Sequence, residues 1–278
     1  VGGAALIITN SEISTFRDCS MKHHYAYSLG YRAHEDSLAL RLGTLIHRAL
    51  EIWWRDRDAE KALHVFLESW ESKEHEKFRA QAMVMGYIAR WPFDDIEVLH
   101  VEKSFVYEIQ PGDKFAGKFD AIVRINGEDW IVDHKTTSDT SENYFRRLDL
   151  DSQISHYWAA AQEMGLAPAG FLYDVLYKPN LRLRKGETPE EFGDRCFEEI
   201  RSNPGKYYRR EHVVRLEHEM QSIRHEALET IRQMKERKPV RNPNRCKDYN
   251  TMCTYFDVCS GAGRLVDLRR IERKHEEL

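Results

Sequence analysis

A chain of 278 residues makes one large domain or two small ones. With 41% apolar and 32% charged residues it has ample material for a buried core. No apolar run approaches the roughly 20 residues that span a bilayer, and a net charge of −4 excludes recognition of nucleic acid by overall charge, so any such surface is local. The start, Val1-Gly2-Gly3-Ala4-Ala5, lacks the basic residues and long apolar stretch of a secretory leader, so a cytoplasmic protein is expected. Five cysteines without secretory context point away from disulfides and toward metal ligation.

In chain order, 11–29 reads as a helix with Ser11 as N-cap and Cys19 inside it, stopped by Gly30. A second helix is expected over 43–55, carrying His47, Leu50, Trp53 and Trp54. Amphipathic helices over 59–77 and 79–89 end before Trp91-Pro92. Residues 96–109 read as one strand or a bent pair containing Glu102. Strands over 115–125 and 130–136 flank Asn126-Gly127, the strongest short hairpin signal. A helix over 151–164 is closed by Gly165, and 170–177 is apolar enough for a buried strand. Residues 181–210 are mixed, with a helix near 189–201. A long helix is expected over 213–235, and a charged one over 264–275 follows a cysteine-rich loop. The expected class is mixed α/β: one domain over 1–278, with a helical arm (1–92), a core (93–180) and a helical, cysteine-rich end (181–278).

The hairpin carries the chemistry. Its antiparallel turn brings Asp120, early in the first strand, next to Asp133, late in the second. Asp133 and Lys135 are two apart and share a strand face. Neighbouring carboxylates repel unless a proton or cation separates them. Hard oxygen ligands select Mg²⁺ or Mn²⁺, and an adjacent Lys orients water or neutralises phosphate. The same residues also suit a solvated hairpin with an ordinary Asp–Lys pair.

Gly117-Lys118-Phe119-Asp120, the hairpin and Asp133-His134-Lys135 resemble the core of the PD-(D/E)XK nucleases, and more narrowly their RecB-like branch. The branch has a His on an upstream helix, here His47 in Gly43-Thr44-Leu45-Ile46-His47. It has a Gln and a Tyr four apart on the following helix, here Gln153 and Tyr157. The resemblance implies a restriction-endonuclease-like core, a central mixed sheet flanked by helices. It also implies catalytic Asp120, Asp133, Lys135, Gln153 and Tyr157, with a metal held by Asp120, Asp133, His47 and the backbone carbonyl of His134.

Cys19, Cys246, Cys253 and Cys259 suit Zn²⁺ or an iron–sulfur cluster, and spacing alone does not separate the two. The resemblance favours [4Fe–4S], as in AddB-type nucleases and the CRISPR-associated adaptation nuclease. Five residues separate Cys253 from Cys259, as in that pattern, but six rather than two separate Cys246 from Cys253. Cys196, in a helical run, is an ordinary cysteine. The basic runs Lys206–Arg210 and Arg232–Lys247 suit either a phosphate path or solvated surface. The function expected from the resemblance is a Mg²⁺- or Mn²⁺-dependent DNA exonuclease of repair or recombination, acting on single-stranded or free ends. The alternative is a catalytically inactive DNA-binding or scaffold subunit with a structural cluster.

Overall fold

The computed structural model describes residues 6–67, 73–92, 96–248 and 251–271. The chain forms two compact units. One comprises Val1–Asp36, Ser104–Lys118 and Leu216–Leu278; the other comprises Ser37–Lys103 and Phe119–Arg215. The first unit thus draws on both ends of the sequence.

The first unit opens with β1 (Leu6–Ile8), parallel to the start of β4 (Asp113–Ile125). Helix α1 (Asn10–Asp18) is capped by Thr9, whose Oγ1 accepts the Glu12 N–H. The single helix expected over 11–29 is broken at Cys19, which is extended. Tertiary bonds favour the break: Ser20 Oγ accepts the Val240 N–H at 2.9 Å, and the Met21 N–H reaches the Val240 carbonyl at 3.1 Å. Helix α2 (Ser20–His23) then widens into a π-helical turn, His24–Ser28. Strand β2 (Tyr31–Arg32) follows and pairs with Arg269–Arg270 near the far end of the chain. The charged helix expected over 264–275 is therefore a single 3-10 turn, Leu265–Asp267, and that short strand; its remainder lies outside the described residues.

The second unit begins with α3 (Leu38–Asp56), capped by Ser37 and apolar along one side. Helix α4 (Ala59–His64) is shorter than expected and passes into a 3-10 turn; residues 68–72 of that expected helix lie outside the description. Helix α5 (Glu74–Arg90) leads to β3 (Glu97–Gln110), which pairs with β4. Glu102 takes a φ of 50°, so β3 is one strand with a local irregularity.

Strand β5 (Glu128–Thr137) is antiparallel to β4 through a turn in which Asn126 and Gly127 both have positive φ, 52° and 83°. That geometry is what Asn-Gly supplies at low cost. The short helix α6 (Glu142–Arg146) and a 3-10 turn lead to α7 (Ser152–Glu163), then to β6 (Gly170–Tyr177), parallel to β5 and buried throughout. Helix α8 (Pro189–Ser202) starts with a Thr188–Glu191 capping box. It packs closely on α5, since a side chain at Gly193 would stand 2.8 Å from Phe78 Cβ. After α9 (Pro204–Tyr207) comes β7 (Tyr208–Val213), antiparallel to β6.

Strand β7 corrects the sequence reading, in which this stretch is irregular and runs into the next helix. Its charges hide a strand, because partners on neighbouring elements neutralise them. The long helix is α10 (Glu217–Glu236), which belongs to the first unit and packs against α1. Beyond it lie the hairpin β8 (Lys247–Asp248) and β9 (Thr251–Met252), then α11 (Phe256–Ser260).

The second unit is thus a mixed sheet flanked by helices, the expected class. Helices α3 and α5 cover the face that bears His134, with Trp54 and Tyr87 at 5.3 and 6.2 Å between ring centres. Helix α7 covers the face that bears Asp133.

Candidate active site

The β4–β5 register runs from Ile125↔Glu128 to Ala121↔Val132. Asp120 lies one residue past that end, alongside Asp133 and His134. Its Oδ2 accepts the His134 backbone N–H at 2.7 Å, and its Oδ1 stands 3.5 Å from His47 Nδ1 on α3. Asp133 is 3% exposed. Its Oδ2 lies 2.6 Å from Lys135 Nζ, and its Oδ1 accepts Gln153 Nε2 at 2.9 Å.

Gln153 is aimed by the start of α7, where Asp151 accepts the Gln153 backbone N–H at 2.8 Å. One helical turn on, the Tyr157 ring packs edge-on against Phe119 at 5.5 Å and near Phe171. Six residues from four elements, His47, Asp120, Asp133, Lys135, Gln153 and Tyr157, therefore lie together in the second unit. The His134 ring lies on the face opposite the Asp133 side chain, as strand alternation requires, 6.3 Å from the His47 ring.

The electrostatics follow from burial and proximity. Burial alone would raise the Asp120 pKa, but the His47 charge and hydrogen bond, then His134 and Lys135, hold it far below the usual carboxylate range. For Asp133 burial prevails, joined by the Asp120 charge and opposed by Lys135, and the pKa rises. Burial would lower Lys135, yet Asp133 and then Asp120 outweigh it and keep the side chain an ammonium. His47 is raised in the same way, with burial opposed and exceeded by Asp120. Tyr157 is raised chiefly by burial and then by the Asp133 charge, so it stays a neutral phenol.

Among the described residues, no three or more His, Cys, Asp or Glu side chains are grouped to hold an ion. The donor chemistry at the hairpin nonetheless fits a hard divalent cation. The buried Asp133 lies beside the half-buried Asp120, and Asp133 Oδ2 has its ammonium neighbour but no aligned hydrogen bond.

Sequence inspection missed what lies behind the site. Asp174, fully buried on β6, is the register partner of both His134 and Arg210. Its Oδ2 accepts the Tyr87 hydroxyl at 2.5 Å and lies 3.2 Å from His134 Nδ1; its Oδ1 is 3.4 Å from Arg210 Nε. Burial would raise its pKa, but the Arg210 charge and the His134 and Tyr87 bonds lower it. The signal was available: one acid inside an otherwise apolar strand has to be partnered. The run Lys206–Arg210 is likewise occupied internally. Lys206 pairs with Glu199, Arg209 with Glu142 and Glu211, and Arg210 with Asp174.

Cys19, Cys246, Cys253 and Cys259 line one cavity of about 210 Å³ in the first unit, and all are free thiols. Burial and the neighbouring Cys253 raise the Cys259 thiol, while the nearby Tyr25 and Arg241 lower it. Lys22, Arg241 and Arg245 also line that cavity, and the four thiols are not grouped as a metal-holding set. Cys196 is buried separately in α8.

A mixed sheet whose hairpin brings two acids and a lysine together has the side chains that phosphodiester hydrolysis requires. The model of the PD-(D/E)XK nuclease superfamily matches residues 8–260, and the chain belongs to that superfamily. A candidate exonuclease from Eubacterium rectale has a similar fold, with a TM-score of 0.53 at 15% identity, over 92% of this chain and 93% of that one. The structure of SSO0001 matches over 74% of this chain and 81% of that one at 13% identity, with a TM-score of 0.34. Among curated proteins none matches the sequence significantly.

Proposed function

We propose that this nuclease is a RecB-like DNA exonuclease, a single functional domain over 1–278, acting on free or single-stranded ends in repair or recombination. The observation that carries this reading is the convergence of Asp120, Asp133 and Lys135, with Gln153 bonded to Asp133. The candidate exonuclease from Eubacterium rectale is consistent with it at the level of fold. No described helix is long and apolar enough to cross a membrane, and a cytoplasmic location is part of the proposal.

Superfamily members generally use Mg²⁺ or Mn²⁺. Here Asp120 and Asp133 would hold the ion, with His47 and the His134 carbonyl beside them. When bound, it supplies charge neutralisation at the scissile phosphate and acidifies water. Lys135, an ammonium against Asp133, donates to and orients water or a phosphate oxygen rather than removing a proton. Gln153 fixes the rotamer of Asp133, and the neutral Tyr157 phenol donates toward the strand. The His134 N–H holds Asp120 in place. The four-cysteine cavity would hold a [4Fe–4S] cluster, or Zn²⁺ as the alternative, closing a loop of over two hundred residues.

The test is digestion of end-labelled single- and double-stranded oligonucleotides with Mg²⁺ or Mn²⁺. The unaltered protein should cut progressively from ends, while Asp120→Ala and Lys135→Ala should not cut. Cleavage that survives both substitutions would falsify the assignment.

A further inference from the structure

The connection that leaves Lys135 and returns with Gln153 carries a second basic feature. It comprises α6 and the 3-10 turn Arg147–Leu150. Arg147 is exposed, yet its guanidinium is held in place. One face lies over the Tyr144 ring, 4.3 Å from its centre. Nε donates to the Tyr144 carbonyl at 3.1 Å, and Nη2 reaches the Tyr173 hydroxyl at 3.4 Å. The Tyr144 and Tyr173 hydroxyls are themselves 3.4 Å apart, and both tyrosines are buried. Tyr173 is the register partner of Asp133 on the adjacent strand, and the Asp133 charge acts on its hydroxyl. Arg147 is therefore one tyrosine side chain away from a catalytic carboxylate.

Several other arginines of this unit are already engaged inside it. Arg79 and Arg210 are paired with the buried acids Glu76 and Asp174, and the buried Arg215 donates to Ser155. Arg209 is partly exposed but pairs with Glu142 and Glu211. Arg147 forms no ion pair among the described residues. Asp139 and Asp151 act on its charge without forming an ion pair with it, and the exposed guanidinium remains open to a phosphate. A planar cation, pre-oriented by stacking, loses little entropy on binding and matches a phosphate with parallel N–H donors.

We propose that Arg147 is a backbone-binding residue of this nuclease. It clamps a DNA phosphate next to the one being cut, with Tyr144 and Tyr173 as its positioning residues. The inference rests on the nuclease reading for its substrate class, and its test reads binding without cleavage.

Fluorescence anisotropy with a fluorescein-labelled oligothymidylate in EDTA gives Kd over a range of KCl concentrations. Arg147→Ala should raise Kd about tenfold and reduce the slope of log Kd against log salt by roughly 0.7, the loss of one single-strand phosphate contact. Arg147→Lys should keep the slope, because it keeps the charge. An unchanged Kd and slope in Arg147→Ala, a slope lost equally in Arg147→Lys, or no binding by the unaltered protein overturns the assignment. Digestion of the same oligonucleotide with Mn²⁺ separates the two readings. An Arg147 effect on binding without any cleavage removes the hydrolytic reading alone. Cleavage with Arg147→Ala binding as tightly as the unaltered protein removes the clamp alone.

Discussion

Each acid at the hairpin is held by a different partner, and this sets what its neighbours can be asked to show. Asp133 is fixed by Gln153 from one side and Lys135 from the other. Gln153→Ala removes one neutral-to-charged bond, worth about 1.5–3 kcal/mol. Oligonucleotide cleavage should therefore slow by roughly tenfold to a hundredfold in kcat, while the melting temperature changes little; an unaltered kcat would remove Gln153 from the site. Asp174 makes a different demand. Its charge lies between His134, Tyr87 and Arg210 with no exposure. Asp174→Ala leaves a mostly buried guanidinium without its carboxylate and should cost about 3–5 kcal/mol in urea unfolding. The acid was visible in the sequence, but its three partners were not, because they come from elements that only the sheet register and helix packing place around it.

At the scale of elements, the hairpin is the part most plainly written in the sequence. Asn126-Gly127 stands between two apolar runs, and both residues adopt the left-handed conformation that the dipeptide favours. Gly127→Val puts a β-branched residue at φ 83° and should cost about 1–2 kcal/mol or more, read as a lower denaturation midpoint. Stability within a few tenths of the unaltered protein would mean that the turn rearranges. Strand β7 is the opposite case. Tyr208-Arg209-Arg210-Glu211-His212-Val213 has a charged centre and reads as irregular or helical. It becomes a strand because β6 offers an edge and because Asp174 and Glu142 take up its arginines. Helix α1 ends at Cys19 for a similar reason, since Val240, distant in sequence, binds Ser20 and Met21.

At the scale of the molecule, each unit has its own buried charge centre. In the first unit this is Asp113, 1% exposed. It accepts from the Leu6 N–H at 3.2 Å, from Gln110 Nε2 at 2.5 Å and from Lys235 Nζ at 2.7 Å, joining β1, the β3–β4 turn and α10. Burial would raise its pKa, but the Lys235, Gln110 and Leu6 bonds lower it below 3.8. A depressed carboxylate contributes stability above its unfolded pKa and loses it as the pH falls through the folded value. Acid unfolding below about pH 4 should therefore include an Asp113 component. Asp113→Asn should weaken the protein at pH 7 by about 1–3 kcal/mol and flatten its acid limb, followed by circular dichroism. An acid limb as steep as before would place that proton elsewhere. The cysteine cavity lies in the same unit. Anaerobic reconstitution with iron and sulfide should give a brown protein, and Cys19→Ser should abolish the colour; colourless protein in both cases excludes the cluster.

The sequence alone determined the features that depend on neighbours along the chain. Local backbone preference and side-chain periodicity fix the turn, the facing of Asp133 with Lys135, the Gln153–Tyr157 helix face and the buried β6 strand. Tertiary structure alone decided which distant groups meet. It brought Asp174 to Arg210 and Arg147 onto Tyr144 beside Tyr173, whereas the meeting of His47 with Asp120 and the grouping of the four cysteines were expected only through the family resemblance. Such pairings depend on strand order and helix packing, set by burying the whole apolar surface together, and no short window of sequence contains that information.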